Sequence, residues 1–179
     1  IYPIQNFIVS LLTKPAHFFF VAMLGFYILM SVLRVNRWLA AAGAVAFAFS
    51  TYNPIIIMAG HETKMFSIAY MPMIIAGLLM IYRGKYLAGG TLLALSMALM
   101  MGNAHYQIVF YTGIIILFIV AGQFVQAIKQ KSIKQFFMAS SVALLAAALS
   151  AGPSAAQLMT TVGELNQHTM RGGKSELTI

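Results

Sequence analysis

Three short polar stretches of this chain hold the residue types able to do acid–base or phosphate chemistry. The first, Ala59-Gly60-His61-Glu62-Thr63-Lys64, sets an imidazole, a carboxylate and an ammonium within four residues. An imidazole moves protons near neutral pH, a carboxylate serves as general base or metal ligand, and an ammonium holds a phosphate. The second, Gly102-Asn103-Ala104-His105-Tyr106-Gln107, adds another imidazole between two side-chain amides. The third, Thr169-Met170-Arg171-Gly172-Gly173-Lys174-Ser175-Glu176-Leu177, places two cations around paired glycines. Such a stretch can cradle an anion through side chains and backbone N–H groups. His61, Glu62 and His105 are the candidate catalytic groups. Lys64, Asn103, Gln107, Arg171 and Lys174 are the candidate substrate-binding groups.

None of these stretches is a signature. His61-Glu62 lacks the H-x-x-x-H or H-x-H spacing of a metal site, and no cysteine is present to ligate or attack. No cofactor is expected, with a divalent ion on His61, Glu62 and His105 as the alternative. The glycine pair before Lys174 lacks P-loop spacing. An ordinary solvated turn, with Glu62 favoured at a helix start, accounts for the residue types of the first stretch better than chemistry does, since short loops are polar in any case. A surface loop accounts for the third.

The elements that must position these residues are apolar spans. Hydrophobic residues make up 61% of the 179 and charged residues 8%, against about 25% charged in a soluble domain. The mean hydropathy is +0.87. The class is a polytopic membrane protein, an all-α bundle of about six spans: 17–33, 38–58, 65–82, 86–102, 106–128 and 136–158. Short connections predict antiparallel neighbours. Arg34 and Arg37, then Arg83 and Lys85, then Lys129, Lys131 and Lys134 fall in alternate turns. By the positive-inside rule those turns are cytoplasmic. His17, His61, His105, His168, Glu62, Glu164 and Glu176 then share the extracytoplasmic side with Lys14, Lys64, Arg171 and Lys174.

Pro54, Pro72 and Pro153 fall in the outward halves of their spans. Proline frees a backbone carbonyl, and at membrane depth protein or a wet cavity must satisfy it. A cavity is therefore expected in the outward half, with simple packing kinks as the alternative. Residues 1–16 read as an outer interfacial segment, 17–158 as the bundle and 159–179 as an outer loop. Alanines at 40–42 and 146–148 permit close helix approach. The net charge of +8 is spread over turns rather than along one solvated face, so nucleic acid is not an expected partner. The chain opens at Ile1 without a basic n-region. The expectation is an internal piece, partnered by the lipid bilayer and the rest of a parent chain.

The runs AGHETKMFSIAYMP (Ala59 to Pro72), NAHYQIVFY (Asn103 to Tyr111) and TMRGGKSELT (Thr169 to Thr178) resemble the large YfhO-like membrane proteins of Bacteroidetes-type bacteria. So do KPAHFFFVAMLGFY (Lys14 to Tyr27) and AFAFSTYNP (Ala46 to Pro54), and the resemblance covers nearly the whole chain. Such proteins are similar to the GT-C superfamily of polytopic glycosyltransferases. That likeness implies inverting transfer of a sugar from a polyprenyl-phosphate donor to an envelope acceptor, on the extracytoplasmic face of the bacterial cytoplasmic membrane. The superfamily's usual base is an Asp in the first outer loop. This chain has no Asp, so the resemblance implies a base upstream of Ile1. By the same analogy Lys64 and Arg171 suit donor phosphate, and Glu62, His61 and His105 suit substrate hydroxyls. The alternative is a transporter or flippase of lipid-linked or anionic solutes, without catalysis.

Overall fold

The computed structural model of the chain describes residue 10 and residues 12–103 and 105–168, with side chains through Gly152. All regular structure among them is helical. In chain order it comprises α1 (Ala16–Val32), α2 (Arg37–Ala48), α3 (Tyr52–Met58), α4 (Glu62–Tyr82), α5 (Tyr86–Gly102), α6 (Tyr106–Lys129) and α7 (Ile133–His168). Helix is what apolar runs of this length form, because lipid offers no partner for backbone N–H and C=O groups. Four stretches are long and apolar enough to cross a membrane: Arg37–Met58, Glu62–Tyr82, Tyr106–Lys129 and Ile133–Gly152. The other two apolar helices, α1 and α5, have 17 residues each. That is about 26 Å of helix against a hydrocarbon core of roughly 30 Å. The six expected spans are thus four of full length and two shorter helices.

Hairpins turn on residues in the left-handed region. Arg34 (φ 62°), Gly84 (φ 80°) and Lys131 (φ 55°) close α1, α4 and α6, and Gly60 (φ 78°) closes α3. At each, the next residue's N–H reaches back to a carbonyl of the last turn, as Val35 does to Met30 and His61 to Ile56. Glycine takes this conformation freely. Arg34 and Lys131 accept a cost of about 1 kcal/mol.

α4 is the centre of the bundle. In its 18-residue apolar window 67% of the residues are buried, against 11% in that of α6 and 17% in that of the 133–152 stretch of α7. Phe66, Ala69, Tyr70, Ile74 and Ile81 of α4 meet Phe18, Val21 and Ala22 of α1 and Leu93 and Leu99 of α5 in one core. Where these helices cross, side chains vanish. A Cβ on Gly25 would lie 2.5 Å from the Ala69 carbonyl oxygen, and one on Gly77 would lie 2.7 Å from the Leu93 nitrogen. Small residues let backbones approach closely, and that packing drives association where lipid supplies no hydrophobic force between helices. The alanine stretches serve the same purpose less tightly, with Ala40 and Ala146 buried. Trp38, Phe118 and Leu144 are 76%, 73% and 72% exposed, faces suited to lipid.

Two boundaries differ from the sequence expectation. The second span is broken between Ala48 and Tyr52. Pro54 sits in the first turn of α3 and cannot donate to the Ser50 carbonyl. The Asn53 N–H takes that oxygen at 2.9 Å, and the buried Asn53 side-chain amide donates to the carbonyls of Phe47 (2.9 Å) and Ala48 (3.1 Å). α7 runs on to His168, past Leu158, so the segment placed in an outer loop continues as helix through that residue.

Candidate functional site

The turns before α4 and before α6 lie at the same end of the bundle, together with the start of α1. Glu62 is the first residue of α4, where the helix dipole favours a carboxylate. Its partner is not the adjacent Lys64 but Lys14. The Lys14 Nζ donates to both Glu62 oxygens, at 2.7 and 2.8 Å. The side chains are 60% and 43% exposed, so the pair contributes at most about 1 kcal/mol. Its consequence is positional, because it ties the entry of α1 to the entry of α4.

Lys64 turns the other way. Its Nζ stands 5.2 Å from the centre of the Tyr52 ring on α3, a cation–π distance. The Asn53 clasp holds the α2–α3 break and so positions that ring. His61 precedes α4 and is exposed, with no side-chain capping bond. His105 precedes α6 and is half-buried. Burial pushes its protonation below the ordinary 6.5, and the charges of Lys64 and His61 push it the same way. Near neutral pH His105 is therefore an uncharged imidazole with one donor and one acceptor nitrogen. It is able to accept a proton from a hydroxyl beside an ammonium that can hold an anion.

The two candidate amides are already engaged. Asn103 is buried, and its Nδ2 donates to the Leu99 carbonyl at 2.8 Å, so it closes α5. Gln107 is exposed and donates to the Tyr111 hydroxyl at 2.9 Å, one turn along α6. Arg171 and Lys174 lie outside the described residues. Among the described residues, no three His, Asp or Glu side chains gather closely enough to hold a metal ion.

Sequence reasoning left three contributors to this end without a role. Lys14 is forty-eight positions from Glu62, a pairing that no local spacing announces. Tyr52 and Asn53 read as ordinary span residues, although Asn53 one residue before Pro54 was a usable signal: a short amide beside a proline can take the carbonyls that the proline frees. His17 is a fourth case. It was placed at the mouth of the first span, but it is 1% exposed and stacks on Phe66 with ring centres 5.6 Å apart.

Of the three prolines behind the expected outward cavity, the side chain of Pro153 lies outside the described residues. The Pro54 break is satisfied by the Asn53 amide, and Pro72 is buried in a continuous α4. Among the cavities of the described residues are two at the cation-bearing turns and two against apolar helix faces. No protein-family model, curated protein or solved structure matches the chain.

Proposed function

We propose that this chain is the membrane-embedded part of a GT-C-like, YfhO-like glycosyltransferase with six spans. It would move a sugar from a polyprenyl-phosphate donor to an envelope acceptor at the extracytoplasmic face of a bacterial cytoplasmic membrane. The observation that carries this reading is the gathering of Lys14, His61, Glu62, Lys64 and His105 from three separate segments at one end of an apolar bundle. A phosphate on an isoprenoid tail needs cations at the level of the head groups, and Lys64, with Arg171 and Lys174, supplies them in this reading. A hydroxyl acceptor needs a neutral base, and His105 is held neutral beside Lys64. Glu62 and His61 would orient substrate hydroxyls or support a base elsewhere in the protein. Asn103 and Gln107 would line the acceptor side.

The clasp of Lys14 on both Glu62 oxygens favours a second reading, in which the same end binds a lipid-linked anion for transport and does no chemistry. Sugar transfer by the full-length protein in detergent separates the two. The assay uses labelled polyprenyl-phosphate sugars and an envelope lipid extract as acceptor. Transfer that falls at least about tenfold in Glu62→Gln and in the Lys64→Ala/Arg171→Ala pair, with folding intact, supports the enzyme. Donor binding without transfer supports the transporter. Neither binding nor transfer with any donor removes both.

A further inference from the structure

The opposite end of the bundle carries an unbalanced set of charges. Arg34 comes from the turn after α1, and Arg83 and Lys85 come from the turn after α4. All three line one cleft of about 780 Å³, together with Tyr27, Ser31 and Met80. The Arg83 Nη1 donates to the Val32 carbonyl at the end of α1, which holds the guanidinium across the two helices. A guanidinium has five N–H donors, so this bond leaves most of them free.

Among the described residues no carboxylate answers these cations. Among the described residues the one ion pair is Lys14–Glu62, at the other end. The chain has only three acidic residues. Glu164 lies on α7 about 46 Å of helix away from Ile133, and Glu176 is outside the described residues. Orientation in a membrane asks for cations in these turns, but not for two turns to bring theirs into a single recess. The three cations are exposed, so water screens their mutual repulsion, and an anion seated between them would offset what remains. The recess is of ligand size, and its wall changes from cations and hydroxyls at the rim to the apolar Met80 and its neighbours beneath. A basic pocket between helices with an apolar floor is the form that recognises an anionic head group.

We propose that this cleft between the ends of α1 and α4 binds a phosphate-bearing anion, with Arg34, Arg83 and Lys85 as its ligands, supplied by an anionic phospholipid. The proposal does not depend on the transferase reading. The test is thermal unfolding and native mass spectrometry of the detergent-solubilised protein with phosphatidylglycerol, phosphatidylcholine or inorganic phosphate. Arg83 is left intact, since it holds α1. The expected result is stabilisation by phosphatidylglycerol well beyond phosphatidylcholine. Its apparent affinity should fall about thirty-fold in the Arg34→Gln/Lys85→Gln pair, as for two membrane-proximal charges. It should persist in the Lys131→Gln/Lys134→Gln pair, which removes equal charge from the same end outside the cleft. Inorganic phosphate that reproduces the shift, and loses it in the first pair, keeps the site and makes free phosphate its source. Equal shifts from both lipids, equal losses in both pairs, or an unchanged first pair that unfolds normally would each overturn the proposal.

Discussion

α4 has two unlike neighbours. Toward α5 the backbones come so close that a Cβ on Gly77 would stand 2.9 Å from the Gly89 carbonyl oxygen, and one on Gly89 would stand 2.7 Å from that of Gly77. Toward α6 the packing leaves a cavity of about 370 Å³ under Leu78, Ile116 and Ala143, and a Cβ on Gly113 would meet nothing within 4 Å. Helices in lipid attract one another chiefly through dispersion contact, and a wall without atoms opposite it forfeits that attraction. The candidate site is divided between these two regimes. Glu62 and Lys64 stand on the tightly held helix, with Lys14 tied to it. His105 and Gln107 stand at the start of the loosely held one. The separation of His105 from Lys64 is thus the softer dimension of the site.

The largest test of this contrast is Gly77→Val. It should cost about 3 kcal/mol or abolish folding, measured by thermal unfolding in detergent, because the atoms it meets are backbone and cannot turn aside. The same substitution at Gly113 should change stability by less than about 1 kcal/mol. Equal losses would erase the distinction between the two faces. Next in size is Asn53→Ala, at about 2 kcal/mol, because the Ala48 carbonyl loses its side-chain donor and the Phe47 carbonyl keeps only the long Ser50 N–H bond. A loss confined to a few tenths would mean that water replaces the amide and that the α2–α3 break is wet.

Gly113→Ala should go the other way and stabilise by about 0.5–1 kcal/mol, since a methyl group in open space only lowers the entropy of the unfolded chain. If it destabilises instead, α6 packs more closely than its cavity implies. The smallest effect is that of pH through His105. Its protonation in the folded protein lies below the ordinary 6.5, so between those two values the unfolded chain binds more protons and stability rises with pH. The contribution is whole above about pH 6.5 and is lost as pH falls through the folded value. Comparison of His105→Gln with the parent protein across that window should flatten the slope. An unchanged slope would place His105 in open solvent and remove the neutral imidazole from the site.

Composition and periodicity made the scaffold legible. The expected span 86–102 coincides with α5, and the expected spans 17–33 and 106–128 each agree with α1 and α6 to within a residue at either end. Apolar length and turn residues are local properties, so a linear reading finds them. The break at Phe49–Thr51 was harder. Pro54 announced it, but its position depends on which donors satisfy Ser50, Phe47 and Ala48, and those are the backbone N–H of Asn53 for Ser50 and its side-chain amide for Phe47 and Ala48. The extension of α7 to His168 was also hidden, because polar residues such as Glu164 and Gln167 end an apolar run without ending a helix.

The candidate site divides in the same way. The sequence by itself determined which side chains of this protein can do chemistry, and that His61, Glu62, Lys64 and His105 stand at helix entries, because hydropathy excludes charged groups from the spans. Only the tertiary structure decided their partners. It gave Glu62 to Lys14 and Lys64 to the Tyr52 ring, and it closed Asn103 onto Leu99. It also gathered Arg34, Arg83 and Lys85 in one cleft. The physical reason is that hydropathy is summed along the chain, whereas an ion pair or a cleft is fixed by helix crossings between residues far apart in sequence. Those crossings rest on a few glycines, Gly25, Gly77 and Gly89, whose missing side chains leave no mark in an apolar run.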